Sequence, residues 1–117
     1  MGAGLRDIAP REVYSKAIAE AAGTGDIAAI AAVPDKKIVI IGIYLTVGAA
    51  QSLQFFTGTD VTDADKKLTG AMTQLSNTWL KANYNPDGHF KTVAGEALTI
   101  DRGGSVSVNG WINYYLE

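Results

Sequence analysis

The ten-residue apolar run from Ile38 to Val47 constrains the fold more than any other part of the sequence. It is rich in β-branched residues, which favour strands. Its alternation predicts that one face carries Ile41, Ile43, Leu45 and Val47, and that the other carries Ile40, Gly42, Tyr44 and Thr46. A strand with two apolar faces lies at the centre of a sheet or is covered on its outer side. The run is also too short to span a bilayer as a helix, which needs about 20 residues.

Short strands separated by turns account for most of the remaining chain. Proline, glycine and asparagine mark turns at residues 34–37, 85–88 and 101–104. Strands are predicted over residues 27–33, 38–47, 53–58, 68–75, 79–84, 89–93, 96–100 and 106–116. Turn signals spaced roughly every 8–12 residues are typical of sandwiches. The sequence therefore predicts an all-β fold, an antiparallel β-sandwich or jelly roll of about eight short strands.

The last predicted strand shows the clearest alternation in the sequence. The positions expected to face the core are Val106, Val108, Gly110, Ile112, Tyr114 and Leu116. The opposite positions are polar except for Trp111 and Tyr115, and Tyr44 joins these two if the strands are neighbours. An exposed aromatic patch in a charge-poor protein indicates an interface anchor. Two other interpretations stay open, namely that the faces are reversed or that a loop covers these aromatic side chains.

The N-terminal part of the chain is predicted to be separate from the sandwich. Residues 1–12 indicate an N-terminal arm before a domain over residues 13–117. Within the arm, Leu5 and Ile8 are candidate contact residues. A frayed terminus and an arm that orders on a partner are both open. Residues 13–22 fit either a helical stripe or an edge strand, and the strand is favoured because strands follow it.

Composition excludes several classes of partner. The chain has a net charge of −2, and only 19% of its residues are charged. No Lys/Arg cluster is longer than two residues, so no nucleic-acid partner is expected. The absence of cysteine rules out disulfides and thiolate metal sites. The N-terminus lacks a signal-peptide pattern, so we expect a soluble protein without a membrane partner. So little charge suggests that part of the surface is hidden against a partner.

Candidate catalytic and metal-binding residues are few. His89 follows a turn, where a packed or solvated histidine is more common than a general base. Motifs for nucleophilic catalysis, phosphate loops and dinucleotide binding are absent. The loop at residues 60–65 contains three aspartates, but the glycine and glutamate of an EF-hand are missing. We therefore expect no enzyme, no cofactor and no metal site.

One stretch resembles a group of small virion proteins of tailed bacteriophages. Residues 84–98 (YNPDGHFKTVAGEAL) carry a similar Asn-Pro-x-Gly-aromatic-Phe-x-Thr, followed by Ala-Gly-Glu-Ala-Leu. A glycine-bearing final strand at residues 106–114 is similar too, as are residues 31–38, 55–59 and 68–70. The resemblance spans about residues 26–116 and leaves residues 1–25 without a match.

The resemblance implies a non-enzymatic structural protein of the capsid exterior, made in the bacterial host cytoplasm. Such decoration (cement) proteins are commonly homotrimers that bridge subunits of the major capsid protein. The expected contact residues to the capsid or to other copies are Leu5, Ile8, Tyr44, Trp111 and Tyr115. The alternative is a carbohydrate- or receptor-binding module of a fibre or tail, in which aromatic rings stack on sugars.

Overall fold

A computed structural model describes residues 12–117, and these residues form nine strands and one short 3-10 helix. The strands are β1 Val13–Glu20, β2 Ile27–Ile30, β3 Ile38–Val47, β4 Gln51–Thr57, β5 Met72–Gln74, β6 Trp79–Ala82, β7 Phe90–Lys91, β8 Leu98–Arg102 and β9 Val108–Leu116. The 3-10 helix is Ala64–Lys66. The all-β prediction is confirmed. Leu5, Ile8 and the rest of the predicted arm up to residue 11 lie outside the described residues.

The strands form two packed antiparallel sheets. One sheet has the order β1-β9-β3-β6, with the short β7 also paired to β3, and the other has the order β2-β8-β4-β5. The first strand thus pairs with the last, and the second pairs with the last but one. This nested order is that of a jelly roll, a double-sheet sandwich built from two Greek keys. The predicted β-sandwich is therefore confirmed.

The core lies between the two sheets and is almost entirely aliphatic. Strand β3 is central, because β9 pairs with one of its edges while β6 and β7 pair with the other. The fully buried side chains of this layer include Ile38, Ile40, Leu45, Leu53, Phe55, Leu98, Ile100, Val108 and Ile112. The apolar run that dominates the sequence therefore forms the middle of the sandwich.

The predicted faces of β3 are wrong in its first half, because the strand contains a β-bulge. Ile40 pairs with Tyr114 and Gly42 pairs with Asn113, so Ile41 is an extra residue. The bulge shifts the alternation by one. Ile40 therefore faces the core, while Ile41 joins Val39 and Tyr115 in a second buried cluster on the outer side. Since every residue around the bulge is apolar, nothing in the local pattern marks it.

Strand β1 confirms the edge-strand interpretation of residues 13–22 over the helical one. It pairs with β9 from Val13 opposite Tyr115 to Glu20 opposite Val108. Ile18 points into the core and is 5% exposed. The helical stripe was an equally regular pattern, but only the strand can pair with β9.

The structure places Arg102 in a strand, whereas the sequence predicts it in a turn. It is the last residue of β8 and is 9% exposed. Its guanidinium donates hydrogen bonds to the carbonyl oxygens of Ala21, Gly25 and Val106 at 3.0–3.1 Å. Arg102 therefore ties the loop between β1 and β2 to the chain just before β9.

Candidate functional site: an aromatic patch on the outer sheet face

Three neighbouring strands bring four side chains together on the outer face of the β1-β9-β3-β6 sheet. Trp111 on β9 lies opposite Tyr44 on β3, and Tyr44 lies opposite Lys81 on β6. Trp79 lies opposite Thr46 in the adjacent row. These side chains face outward because their chain neighbours point into the core. We call Tyr44, Trp79, Trp111 and Lys81 the aromatic patch.

The rings of the aromatic patch pack on one another. The centroids of Tyr44 and Trp111 are 5.0 Å apart with an interplanar angle of 27°, which is a stacked pair. Trp79 meets Trp111 edge-on, with centroids 6.0 Å apart at 63°. Both geometries are favourable for aromatic pairs. The rings hold one another in place, which reduces the entropy lost on binding a partner.

Much of this aromatic surface is exposed. Trp79 is 53% exposed and Trp111 is 41% exposed, while Tyr44 is half-buried. The neighbour of Trp111 on β1 is Ala17, whose methyl group is too small to cover an indole. The four residues of the patch line a shallow hollow of about 320 Å³. The patch therefore offers a partner both a raised and a recessed apolar surface.

Gly110 allows the strands that carry the patch to approach closely. Its φ is +142°, and a Cβ atom at this position would collide with the carbonyl oxygen of Tyr44. A side chain would therefore push β9 away from β3. The glycine directly before Trp111 thus supports the stacking of Trp111 on Tyr44.

Lys81 is the charged member of the patch. Within residues 12–117 the two ion pairs are Lys66–Glu96 and Lys91–Glu117, so Lys81 takes part in neither. Its neighbours on this face are aromatic, small or neutral, and Ala17, Thr46 and Asn109 are examples. A single positive charge beside exposed rings suits a partner with acceptor oxygens.

The structure brings together some of the predicted contact residues and separates others. Tyr44 and Trp111 are directly paired, as expected if β3 and β9 are neighbours. Tyr115 lies on the same face but is only 6% exposed, because it packs with Val39 and Ile41. Tyr115 is therefore not part of the exposed patch, although its role as a contact residue stays a prediction.

A turn helps to cover the outer cluster around Tyr115. The backbone N–H of Asn85 donates to the carbonyl oxygen of Ile41 at 2.8 Å, and that of His89 donates to Ile40 at 2.7 Å. Gly88 lies so close to Val39 that a side chain would not fit without a shift. The turn therefore covers Val39 of the outer cluster, whereas Trp111 is 41% exposed.

Sequence analysis does not single out two members of the patch, Trp79 and Lys81. Trp79 is predicted only as the start of a short strand. Its place beside Tyr44 and Trp111 depends on the pairing of β6 with β3. The available signal was its chemistry, because Trp79 is one of two tryptophans in the chain and tryptophan is enriched at binding hot spots.

Other candidate groups have local structural roles. The Nε2 atom of His89 lies 2.7 Å from the carbonyl oxygen of Asn83. Asp60 accepts two hydrogen bonds from Thr62, from its hydroxyl and its backbone N–H, and these bonds lower the pKa of Asp60. The part of the chain that the structure describes contains no group of three or more His, Cys, Asp or Glu residues placed to hold a metal. It also contains no helix long and apolar enough to cross a membrane.

Comparison with known proteins finds no matching family model, no matching curated protein and no matching solved structure. The fold and the site define the class instead, which is a small jelly-roll β-sandwich with an exposed aromatic patch. Jelly rolls occur in both viral capsid proteins and lectins, so the surface carries more functional information than the fold.

Proposed function

We propose that this protein is a non-enzymatic structural component of a tailed-bacteriophage virion. It decorates the capsid exterior and stabilises the shell by bridging subunits of the major capsid protein as an oligomer. The observation that carries the proposal is the pair of exposed tryptophans, Trp79 and Trp111, on the outer face of the β1-β9-β3-β6 sheet. The resemblance of residues 26–116 to small phage virion proteins gives the proposal its biological setting.

The aromatic patch has the properties of an interface anchor. Tryptophans at the centre of an interface contribute much of its binding energy when neutral neighbours exclude water around them. Here Trp111 has small or neutral neighbours on β1 and β9, and it already packs against Tyr44 and Trp79. A capsid pocket that receives these rings would bury apolar area at a low cost in side-chain entropy.

When several copies are joined in an oligomer, a weak contact between each copy and the capsid is enough for tight attachment. When several linked copies bind neighbouring capsid subunits, each later contact forms at a high effective concentration. The oligomer then binds the capsid far more tightly than one copy does, and it resists separation of the capsid subunits that it bridges. The resemblance implies three copies, and that number stays a prediction.

Co-sedimentation with capsids of the encoding phage, assembled without this protein, tests the proposal. The wild-type chain should sediment with the capsids, and Trp79→Ala combined with Trp111→Ala should weaken binding at least tenfold. The matched control is Leu75→Ala, because Leu75 is also exposed (64%) but lies outside the patch. If the wild-type chain does not sediment, the proposed function is wrong. If the double variant binds as the wild type does, the patch is not the anchor.

A specific observation favours carbohydrate recognition as a second candidate. Lys81 lines the same hollow as Tyr44, Trp79 and Trp111. Sugars stack their apolar faces on aromatic rings, and their oxygens accept hydrogen bonds from lysine. Titration of tryptophan fluorescence with a glycan panel tests this candidate. A saturable change that Lys81→Ala abolishes would support it, and no change across the panel would count against it.

A further inference from the structure

Among residues 12–117, strand β1 leaves a long unpaired edge on the β1-β9-β3-β6 sheet. It contains eight residues, whereas the edge strands β2, β5 and β6 contain three or four. Its ladder with β9 is the one strand pairing that it makes within the described chain. Its other side presents backbone N–H and C=O groups that a further strand can pair with.

The charges on β1 are arranged symmetrically about its buried residue. Lys16, Ile18 and Glu20 alternate onto the same side of the sheet, with Lys16 two residues before Ile18 and Glu20 two residues after it. In an antiparallel pair of two β1 strands with Ile18 opposite Ile18, each Lys16 lies opposite the Glu20 of the other copy. Opposite charges at directly paired positions stabilise a sheet.

Lys16 and Glu20 also disfavour the pairing of β1 with other strands or in other registers. A lysine on the inner side of an edge strand normally prevents pairing, because a neighbouring strand would bury it without a partner. Neither Lys16 nor Glu20 belongs to the two ion pairs found in residues 12–117. A second copy in the symmetric register supplies both missing partners, whereas a shifted register separates them.

The side chains on the outer face of β1 also leave room for a second copy to approach. Its residues between the strand ends are Ser15, Ala17 and Ala19, which are small and exposed. Small side chains leave room for a second sheet to continue beside the first. None of these three side chains has to rearrange when two such edges meet.

From these observations we propose that two copies of this chain pair through β1 about a two-fold axis at Ile18. The β1-β9-β3-β6 sheets of the two copies then join into one continuous sheet of the order β6-β3-β9-β1-β1-β9-β3-β6. The contact is isologous, because the same strand serves both copies. It goes beyond capsid attachment and does not depend on it. It also differs from the homotrimer that the resemblance implies.

Light scattering coupled to size-exclusion chromatography tests the proposal on the full-length chain. The expected mass at high concentration is twice the 12.3 kDa of one chain. Lys16→Glu and Glu20→Lys should each weaken the dimer at least tenfold, since each places like charges opposite one another. The double variant carrying both changes should restore it. Lys36→Glu is the matched control, because it makes the same charge change at an exposed residue in the turn before β3.

Several outcomes would overturn the pairing. They are a monomer at every concentration, a mass of three chains, or single variants that dimerise as the wild type does. A double variant that stays monomeric while folded by circular dichroism would also contradict it. A chain lacking residues 1–11 that dimerises when the full chain does not would show that the arm occupies this edge, and the proposal would then fail for the full chain.

Discussion

Two aspartates face each other at the end of the β2–β8 ladder. Ile27 pairs with Ile100, so Asp26 and Asp101 occupy the next positions outward. Partial burial raises the pKa of Asp26, and the charge of Asp101 and its hydrogen bond to Asp26 raise it further. Arg102 acts in the opposite direction but does not cancel these effects. The folded chain therefore holds the Asp26 proton more tightly than the unfolded chain does.

This pair gives a pH dependence of stability whose sign follows from linkage. The folded pKa of Asp26 lies above its unfolded value of about 3.9. The folded state therefore holds the proton more tightly, and its contribution is present below about pH 3.9 and is lost as the pH rises through the folded pKa. Asp26→Asn removes this decline, so Tm should rise more steeply from acid to neutral pH than in the wild type, and Tm at pH 7 should be higher.

The control for this prediction is Asp87→Asn, at an exposed carboxylate in the turn between β6 and β7. It removes one carboxylate outside the β2–β8 ladder, and it should not reproduce the change that Asp26→Asn makes. An Asp26→Asn profile that parallels the wild-type profile would show that the pair does not contribute.

At the scale of elements, two aromatic residues on β9 have opposite roles although they share one face. Trp111 lies beyond the bulge, where β3 presents Tyr44 and the surface is open. Tyr115 lies before the bulge, where Val39 and Ile41 pack against it. The extra residue in β3 therefore divides the outer face into a buried apolar half and an exposed aromatic half.

This division predicts different consequences of truncating the two side chains. Tyr115→Ala should lower the free energy of unfolding by about 3 kcal/mol, because it leaves a cavity beside Val39 and Ile41. Trp111→Ala should lower it by less than Tyr115→Ala does, because the indole is already 41% exposed and its removal leaves no enclosed cavity. Urea unfolding followed by circular dichroism measures both. Equal losses for the two variants would contradict the division of this face.

At the scale of the whole molecule, the described fold begins with the strand that follows the predicted arm. The β1–β9 ladder begins at Val13 opposite Tyr115. Removing residues 1–12 therefore deletes no strand pair of the described fold. The role of Leu5 and Ile8 in contacts with a partner stays a prediction.

Deletion of residues 1–12 should weaken capsid attachment without unfolding the domain. The arm would lose its contacts with the shell, while the sandwich keeps its ladders and core. Co-sedimentation measures attachment, and thermal unfolding of the same preparation measures stability. Unchanged capsid occupancy would contradict a role for the arm, and a large drop in Tm would show that the arm belongs to the fold.

The sequence by itself determined the strands, because their signals are local. β-Branched residues and alternation located β3 and β9, and turn residues such as Pro34 and Gly88 separated the elements. The same local signals placed Trp111 opposite the core face. The predicted end of β2 was wrong, because this strand ends at Ile30 and the prediction extended it to Val33.

Only the tertiary structure decided which strands are neighbours and where the alternation breaks. Trp79, Tyr44 and Trp111 meet because β6, β3 and β9 pair, although these strands are far apart along the chain. The bulge at Ile41 turns one apolar residue outward among others, which a uniformly apolar run does not reveal. Pairing and register depend on the fit of whole sheets rather than on any one segment, and this is why the aromatic patch emerged only from the folded chain.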